Sequence, residues 1–201
     1  MIRSATVDGV LTLTLARADK ANALTEGMLE ELADAVLATS AQVIVFTGKG
    51  RVFSAGADLE AVARGLAASP AWEKLSAAIA GFPGLTIAAL NGTVAGGALG
   101  MVLACDLRLA VDGAKFFYPV VKMGVMPQPS DPARLRALLG PARAKMILLT
   151  GAKLTTAEAF AFGMVDRVVA DQTALGLAIA ALSEPAKTAK AGLLAQIKAM
   201  I

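Results

Sequence analysis

Residues 86–104 read TIAALNGTVAGGALGMVLA, two apolar runs joined by a turn that is rich in glycine. Thr86–Leu90 has the length and composition of a buried strand, and Gly96-Gly97 is predicted to begin a helix that continues to Ala104. The first peptide N–H groups of a helix have no partner inside the helix, and small residues let a ligand approach the backbone closely. The stretch therefore predicts a strand-to-helix junction with accessible backbone donors.

A second junction of the same kind lies earlier, at residues 53–58, which read FSAGAD. It follows Val43–Thr47, which is predicted to be a buried strand, and a loop predicted from Gly50 to Gly56. A helix is predicted from Ala57 onward. Two backbone N–H groups that converge on one point can form an oxyanion hole, and the positive end of a helix strengthens it. For each motif alone, close packing of glycines is an equally good explanation.

The rest of the chain alternates strands with helices. Ile2–Val7 and Val10–Leu15 alternate with period two around Asp8-Gly9, which predicts a hairpin. Helices are further predicted from Thr25, after Pro70, from Pro132, at Pro141 and from the capping box Thr155–Glu158, and strands at Leu107–Val111 and Val165–Val169. This order indicates an α/β fold built from repeated strand–turn–helix units, with no linker that divides the chain.

The composition of the 201 residues excludes several classes of protein. Hydrophobic residues reach 56% and charged residues 17%, against roughly 45–50% and about 25% in an average globular domain. The chain is therefore not disordered, and part of its apolar surface is expected to be covered by other subunits. A net charge of +3 and 4% aromatic residues give no support for nucleic-acid binding. The most apolar run, Thr93–Cys105, is too short to span a bilayer, and a soluble cytoplasmic protein without a signal peptide is expected.

The absence of histidine is the most informative single count. It excludes Ser-His-Asp and Cys-His catalysis and every metal site with a histidine ligand. The only cysteine, Cys105, excludes an internal disulfide and a multi-cysteine zinc site, and it is expected to be a small core residue. No metal site is expected.

Separated blocks of this sequence, in their order and spacing, resemble the enoyl-CoA hydratase/isomerase family, also called the crotonase superfamily. The blocks are RADKANAL at 17–24, FSAGADL at 53–59, NGTVAGGALGMVLACD at 91–106, LTG at 149–151 and AEAFAFGMV at 157–165. The second and third blocks are the two junctions described above. The resemblance extends over most of the chain.

The resemblance implies a function and a site. The Ala57 and Gly97 N–H groups would form the oxyanion hole for the carbonyl of an acyl-CoA thioester, with coenzyme A as part of the substrate and no other cofactor. The further contacts that it implies are Ala55, Lys20 and Ala21 at the adenine end, Asp58 in the first oxyanion loop, and Lys198 at the CoA phosphates. Asp58 is expected to order its loop and the helix start rather than to take part in the chemistry.

The resemblance also implies an architecture, a crotonase-type ββα spiral core over residues 1–165 with a helical association segment over residues 166–201. Members of the family form trimers or dimers of trimers, so a homotrimer or hexamer is expected. The chain ends at Ile201, so its C-terminal segment is expected to be shorter than in typical members. Whether it makes the trimer contacts that are usual in the family is left as an open question at this point.

Two departures from the family pattern bear on the reaction. Gly100 replaces the glutamate that follows the second oxyanion glycine by three residues, and Val120 replaces the glutamate of the F-x-x-P-E segment. A positioned acid or base supplies about 10²–10⁴ in rate, so the loss of both should cost on the order of 10⁴ or more. Hydration is therefore not the expected reaction.

Two nearby residues could take over proton transfer. Gln128 stands where some related isomerases carry an acid, and Asp131 follows three residues later. Asp131 is interpreted either as an acid that reaches the site or, preferably, as a helix N-cap before Pro132. Tyr118, the only tyrosine, precedes Val120 by two residues and is either a hydrogen-bond donor or a packed core residue.

The expected function is that of an acyl-CoA enzyme of fatty acid metabolism, a lyase or isomerase that stabilises an enolate of the thioester. Double-bond isomerisation and decarboxylation rank above hydration because they need fewer protein groups. The alternative is a catalytically silent acyl-CoA-binding protein or partner subunit that keeps the fold. The joint loss of both glutamates, with the oxyanion residues retained, favours that alternative.

Overall fold

The computed structural model describes residues 1–201, from Met1 to Ile201. Its strands are β1 (Ile2–Val7), β2 (Val10–Leu15), β3 (Val43–Gly48), β4 (Val52–Ser54), β5 (Leu85–Leu90), β6 (Thr93–Ala95), β7 (Leu107–Val111), β8 (Lys115–Phe117), β9 (Leu154–Thr155) and β10 (Arg167–Val169). Its helices are α1 (Glu26–Ala38), α2 (Leu59–Ala63), α3 (Ala71–Ala80), α4 (Ala98–Ala104), α5 (Val120–Met123), α6 (Asp131–Leu139), α7 (Pro141–Thr150), α8 (Thr156–Phe162), α9 (Gln172–Lys187) and α10 (Leu193–Lys198).

The strands form two sheets that the chain visits in turn. The larger sheet has the order β1-β2-β3-β5-β7-β10, with β1 antiparallel to β2 and every other neighbour parallel. The smaller sheet has the order β4-β6-β8-β9, with only β9 antiparallel to its neighbour. The pairs β3–β4, β5–β6 and β7–β8 each give one strand to each sheet. This repetition is a ββα spiral, and it stacks the ends of β4 and β6 side by side.

The larger sheet is covered on both faces, which explains why its central strands are mainly apolar. Successive side chains of a strand point to opposite faces. Ile44 and Phe46 of β3 join the main core, whereas Val43 and Val45 join a second cluster that contains Leu175 of α9. Since both faces of β3 are buried, its sequence lacks the alternation of apolar and polar residues that a strand buried on one face shows.

The structure confirms the predicted hairpin, the helices and the strands of the larger sheet, with two corrections. The loop predicted from Gly50 to Gly56 contains the strand β4, and residues 93–95 of the second junction form β6. These three-residue strands are stabilised by pairing with each other and with β8, so local sequence carries little signal for them. The helix expected from Ala57 begins two residues later, at Leu59.

The C-terminal part begins as a continuation of the larger sheet. Strand β10 pairs with β7 at the edge of that sheet, as an edge strand is predicted there. The helix α9 then packs on the face formed by β3, β5 and β7. A role of residues 166–201 in association stays a prediction. No helix combines the length and the apolarity that crossing a membrane requires.

Candidate active site

Ala57 lies between two backbone hydrogen bonds that hold its loop against Leu24. The Leu24 N–H donates to the Gly56 carbonyl and the Asp58 N–H donates to the Leu24 carbonyl, each at 2.8 Å. This isolated parallel bridge uses the polar groups on either side of Ala57 and leaves the Ala57 N–H without an acceptor in the protein. A donor in that state is available to a ligand oxygen.

The second junction provides a matching donor. Gly97 is the N-cap of α4, and its N–H also has no acceptor in the protein, as expected at the start of a helix. The two junctions are in contact, because a Cβ at Gly56 would lie 2.7 Å from the Ala95 oxygen and 3.3 Å from the Gly96 Cα. Gly56 also has a φ of +93°. Both the backbone conformation and the close contact therefore require glycine there.

The two free N–H groups belong to residues that line one apolar cavity of about 180 Å³. Thirteen of its 17 lining residues are hydrophobic and none carries a charge. The larger apolar side chains of its lining include Leu59, Val62, Trp72, Val120, Met123 and Met126. Such a cavity can hold an apolar group whose one polar atom lies against the backbone donors.

Asp131 is a buried acid that contacts the cavity wall through Tyr118, and its carboxylate is poorly satisfied. Its side chain is 0% exposed, Oδ2 accepts a hydrogen bond of 2.9 Å from the Tyr118 hydroxyl, and Oδ1 has no partner. Burial is the main cause that raises the pKa of Asp131, from its ordinary 3.8 to about 7, while the bond from Tyr118 opposes the rise. The pKa of Tyr118 is raised as well, first by burial and then by the Asp131 charge.

The preferred interpretation of Asp131 as a helix N-cap is wrong. Ser130 is the N-cap of α6, Asp131 is the first helical residue, and neither side chain caps a backbone N–H. The carboxylate turns inward instead, because Tyr118 offers it a donor and Gly100 leaves space for it. Tyr118 combines both of the roles predicted for it, since it is buried and donates a hydrogen bond.

The space that Asp131 fills is the place where a side chain of residue 100 would begin. A Cβ built on Gly100 would lie 2.9 Å from Asp131 Oδ1 and 3.1 Å from Oδ2. The carboxylate that the family pattern expects on α4 is thus absent, and one from α6 stands beside the same backbone. Sequence reasoning could not find this exchange, because 31 positions separate two residues that meet only in the folded chain.

The comparisons with known proteins agree with these motifs. The enoyl-CoA hydratase/isomerase family model matches residues 5–201. The chain belongs to this family. It is 35% identical over 175 residues to a probable enoyl-CoA hydratase of Mycobacterium leprae, which is 84% of this chain and 71% of the relative. It is 37% identical over 177 residues to 4-chlorobenzoyl coenzyme A dehalogenase-2 of an Arthrobacter species, which is 82% of this chain and 64% of the relative.

Solved structures show the same fold. The crystal structure of an enoyl-CoA hydratase/isomerase from Pseudoalteromonas atlantica superposes with a TM-score of 0.91 at 26% identity, over 99% of this chain and 81% of the other. The predicted crotonase-type α/β fold is confirmed. The protein is an acyl-CoA-processing member of the enoyl-CoA hydratase/isomerase family.

The loop of the first junction, residues 53–58, is ordered by Asp58. Its Oδ2 accepts from Arg17 Nη1 at 2.6 Å, and its Oδ1 accepts from the N–H groups of Glu60 and Ala61 at 3.0 and 3.1 Å. The hydrogen bond from Arg17, followed by that from the Ala61 N–H, lowers the pKa of Asp58. All of these contacts order the loop and the start of α2, which is the role expected for Asp58.

The structure also brings together the segments expected at the adenine end of the substrate. The Ala55 N–H donates to the Ala21 carbonyl at 2.9 Å, and Ala55 lines the cavity. Ala21 has a φ of +48°, which bends the chain there, and Lys20 beside it is exposed. Contact of these residues with coenzyme A stays a prediction.

Lys198 is not brought to the cavity. Its ammonium donates to the carbonyls of Phe82 and Gly84 and to Asp106 Oδ2, at 2.9, 3.0 and 2.9 Å. These acceptors precede β5 and β7, whereas the cavity lies beyond the opposite ends of the strands. With three acceptors for its three N–H groups, Lys198 fastens α10 to the sheet in this chain.

Other residues of the site escaped the sequence analysis. Trp72, which no motif of the sequence singles out, lies against Gly97, where an added Cβ would be 3.0 Å from the indole ring. Gln128 lines the cavity and donates to the Ala67 carbonyl at 3.1 Å. Cys105 is buried, and burial raises the pKa of its thiol, which fits the predicted core position.

Proposed function

We propose that this protein binds an acyl-CoA thioester with the carbonyl oxygen against the N–H groups of Ala57 and Gly97, and that these donors stabilise the enolate of the thioester. The observation that carries the proposal is the pair of backbone donors without acceptors beside an apolar cavity. Preorganised donors aimed at a developing oxyanion contribute more in such a low-dielectric site than in water.

The reaction that fits best is migration of a double bond in a 3-enoyl thioester. Gly100 and Val120 provide no carboxylate to activate water, so hydration lacks its usual groups. Decarboxylation would bring the carboxylate of the substrate into the cavity, and no charged side chain lines it to pair with that charge. Isomerisation needs only an apolar wall, a site for one proton and a stabilised enolate.

Turnover of a matched set of thioesters tests the proposal. We expect 3-hexenoyl-CoA to be converted into its conjugated 2-isomer, crotonoyl-CoA to stay unhydrated and methylmalonyl-CoA to keep its carboxylate. Ala57→Pro removes one donor and should lower the rate by about 10²–10³, whereas Ala57→Ser retains the N–H and should keep most of the activity. Rapid hydration of crotonoyl-CoA would contradict the proposal.

A silent acyl-CoA-binding protein is the second candidate, because both glutamates are absent while the donor pair is intact. It predicts saturable binding of the same thioesters with no product and no exchange of substrate protons. Under either candidate function we propose that the protein forms a homotrimer or hexamer, and sedimentation analysis of the purified protein tests this.

A further inference from the structure

Tyr118 is the only residue of the cavity wall whose side chain carries a hydroxyl that can pass a proton to a neighbouring carboxylate. Three lining residues carry a side-chain nitrogen or oxygen, namely Trp72, Tyr118 and Gln128. The Trp72 indole N–H is used by the Leu66 carbonyl at 2.8 Å, and an amide such as Gln128 does not act as an acid or base in this range. Any protein group that moves a substrate proton here must therefore act through Tyr118.

Tyr118 lines the cavity, and its hydroxyl contacts a buried carboxylate. It donates to Asp131 Oδ2 at 2.9 Å, and it accepts a long bond of 3.4 Å from the N–H of Gln128, a residue of the cavity wall. Asp131 itself does not line the cavity. The hydroxyl thus connects the apolar cavity with a carboxylate that a ligand cannot touch directly.

The charged groups around Asp131 do not satisfy its carboxylate. Arg134 of α6 donates through Nη1 to the hydroxyls of Ser76 and Ser130, and Glu73 of α3 accepts from Ser130 at 2.9 Å. The Glu73 charge raises and the Arg134 charge lowers the pKa of Asp131, both less than burial does. Because Oδ1 has no hydrogen-bond partner, protonation of the buried carboxylate is favoured.

We propose that Tyr118 is the catalytic acid–base of the cavity and that Asp131 receives and returns the proton through it. This rests on the function proposed above, since it needs the enolate that the Ala57 and Gly97 donors stabilise. It replaces the two missing glutamates with one relay, built from the end of β8 and the start of α6.

The step balances without any further reactant. The C2–H proton of a 3-enoyl thioester passes to Tyr118 Oη while the hydroxyl proton of Tyr118 passes to Asp131 Oδ2. The electron pair of the broken C–H bond is delocalised into the thioester carbonyl, whose oxygen lies at the two donors. Return of a proton from Tyr118 to C4, with the Asp131 proton returning to Tyr118, moves the double bond into conjugation.

Gly100 is a specific requirement of this relay. A side chain at residue 100 would meet the Asp131 carboxylate at 2.9–3.1 Å, closer than normal contacts allow. A carboxylate on α4 and one at Asp131 therefore compete for the same space. Glycine at residue 100 is what lets the acid come from α6.

Proton exchange at C2 of butanoyl-CoA in D₂O, followed by mass spectrometry, tests the relay. We expect wild-type exchange to rise with pH and to level off above about 7, because Asp131 must be ionised to receive the proton.

Tyr118→Phe should lower kcat for isomerisation of 3-hexenoyl-CoA by about 10²–10⁴, and Asp131→Asn should also abolish the rising limb. Neither should change KM more than a few-fold. Asp106→Asn, a matched change at a partly buried aspartate outside the cavity, should leave the exchange rate unchanged.

A polarisation probe separates failure of the relay from failure of the proposed function. The absorption of cinnamoyl-CoA should shift to longer wavelength on binding if the donor pair polarises its carbonyl, and both relay variants should keep this shift. A wild-type protein that shows no shift contradicts the function. A shift without exchange in the wild type, or unchanged exchange in Tyr118→Phe, overturns the relay alone.

A second substitution keeps the test decisive if Tyr118→Phe does not fold. Incorporation of 3-fluorotyrosine at residue 118 retains the hydroxyl and nearly the same shape but makes it more acidic. The exchange rate should then change several-fold while the cinnamoyl-CoA shift stays the same. An exchange rate equal to that of the wild type would overturn the relay.

Discussion

Asp58 and Asp131 are both buried aspartates at helix starts beside the same cavity, yet their environments are opposite. The Asp58 carboxylate accepts from Arg17 and from two N–H groups of α2, whereas that of Asp131 accepts from Tyr118 alone. The pKa of Asp58 is lowered, and that of Asp131 is raised to about 7. Burial raises the pKa of Asp131, whose carboxylate has a single donor, whereas the hydrogen bond from the Arg17 guanidinium is the main cause that lowers the pKa of Asp58.

This contrast separates a structural acid from a functional one. Both carboxylate oxygens of Asp58 accept hydrogen bonds, so this group has a structural role and holds the loop of residues 53–58 in place. A buried carboxylate with an unused oxygen destabilises the fold when it is charged, but it can take up a proton near neutral pH. The two sites should therefore respond in opposite ways to pH and to substitution.

The largest expected effect is on the pH dependence of stability at Asp131. Because its pKa is higher in the folded state, the native protein binds more protons between pH 3.8 and about 7, so this site destabilises the fold increasingly as pH rises through that window. Asp131→Asn removes the contribution. The free energy of unfolding of the variant relative to wild type should increase by up to about 4 kcal/mol from pH 4 to pH 8, measured by urea denaturation.

Asp58→Asn is the control for that measurement. Its difference from wild type should stay constant between pH 5 and pH 8, because the lowered pKa of Asp58 keeps the carboxylate ionised throughout. A pH-independent difference for Asp131→Asn as well would show that the Asp131 carboxyl is not destabilised by burial.

A smaller effect is expected where Gly100 accommodates Asp131. Gly100→Ala places a methyl group 2.9 Å from Oδ1, and such overpacking should destabilise the fold by about 1–3 kcal/mol. In the Asp131→Ala background the same change should cost much less, since the competing carboxylate is gone. Denaturation of the four proteins of this double-mutant cycle measures the coupling.

Gly176→Ala is the matched control for the Gly100 cycle. Gly176 lies inside α9 with no atom near the position of an added Cβ, so alanine there should stabilise the fold by about 0.5–1 kcal/mol. An equal cost of Gly100→Ala with and without the Asp131 carboxylate would contradict the proposed competition for space.

The smallest effect is expected from loss of the Arg17–Asp58 ion pair. In Asp58→Asn the amide retains the N-cap but leaves the Arg17 guanidinium without its charged partner, so Tm should fall by a few degrees. The folded pKa of Asp58 is lowered, so the contribution of the pair is present above pH 4 and is lost as pH falls below it. A Tm difference that grows on acidification, measured by calorimetry, would contradict this.

Local signals predicted the parts of the site that belong to one segment. The two glycine-rich junctions, the hairpin and the capping box at Thr155 each depend on a few adjacent residues, and all are present, although the first junction contains β4 and its helix begins at Leu59. The strands β4 and β6 were missed because three residues pair only when another turn of the spiral is beside them. Lys198 was assigned to the CoA phosphates from the family resemblance, whereas its partners are provided by the segments just before β5 and β7.

The sequence by itself determined the family, the fold and the two junctions that carry the free Ala57 and Gly97 N–H groups, because backbone donors at a strand-to-helix junction need only small residues in the right order. It also determined which groups are missing, since a glutamate that is absent from its position cannot act. Only the tertiary structure decided where the remaining acid lies. The side chain of Asp131 follows the donor on Tyr118 and the space above Gly100, and no local pattern around residue 131 contains either of them.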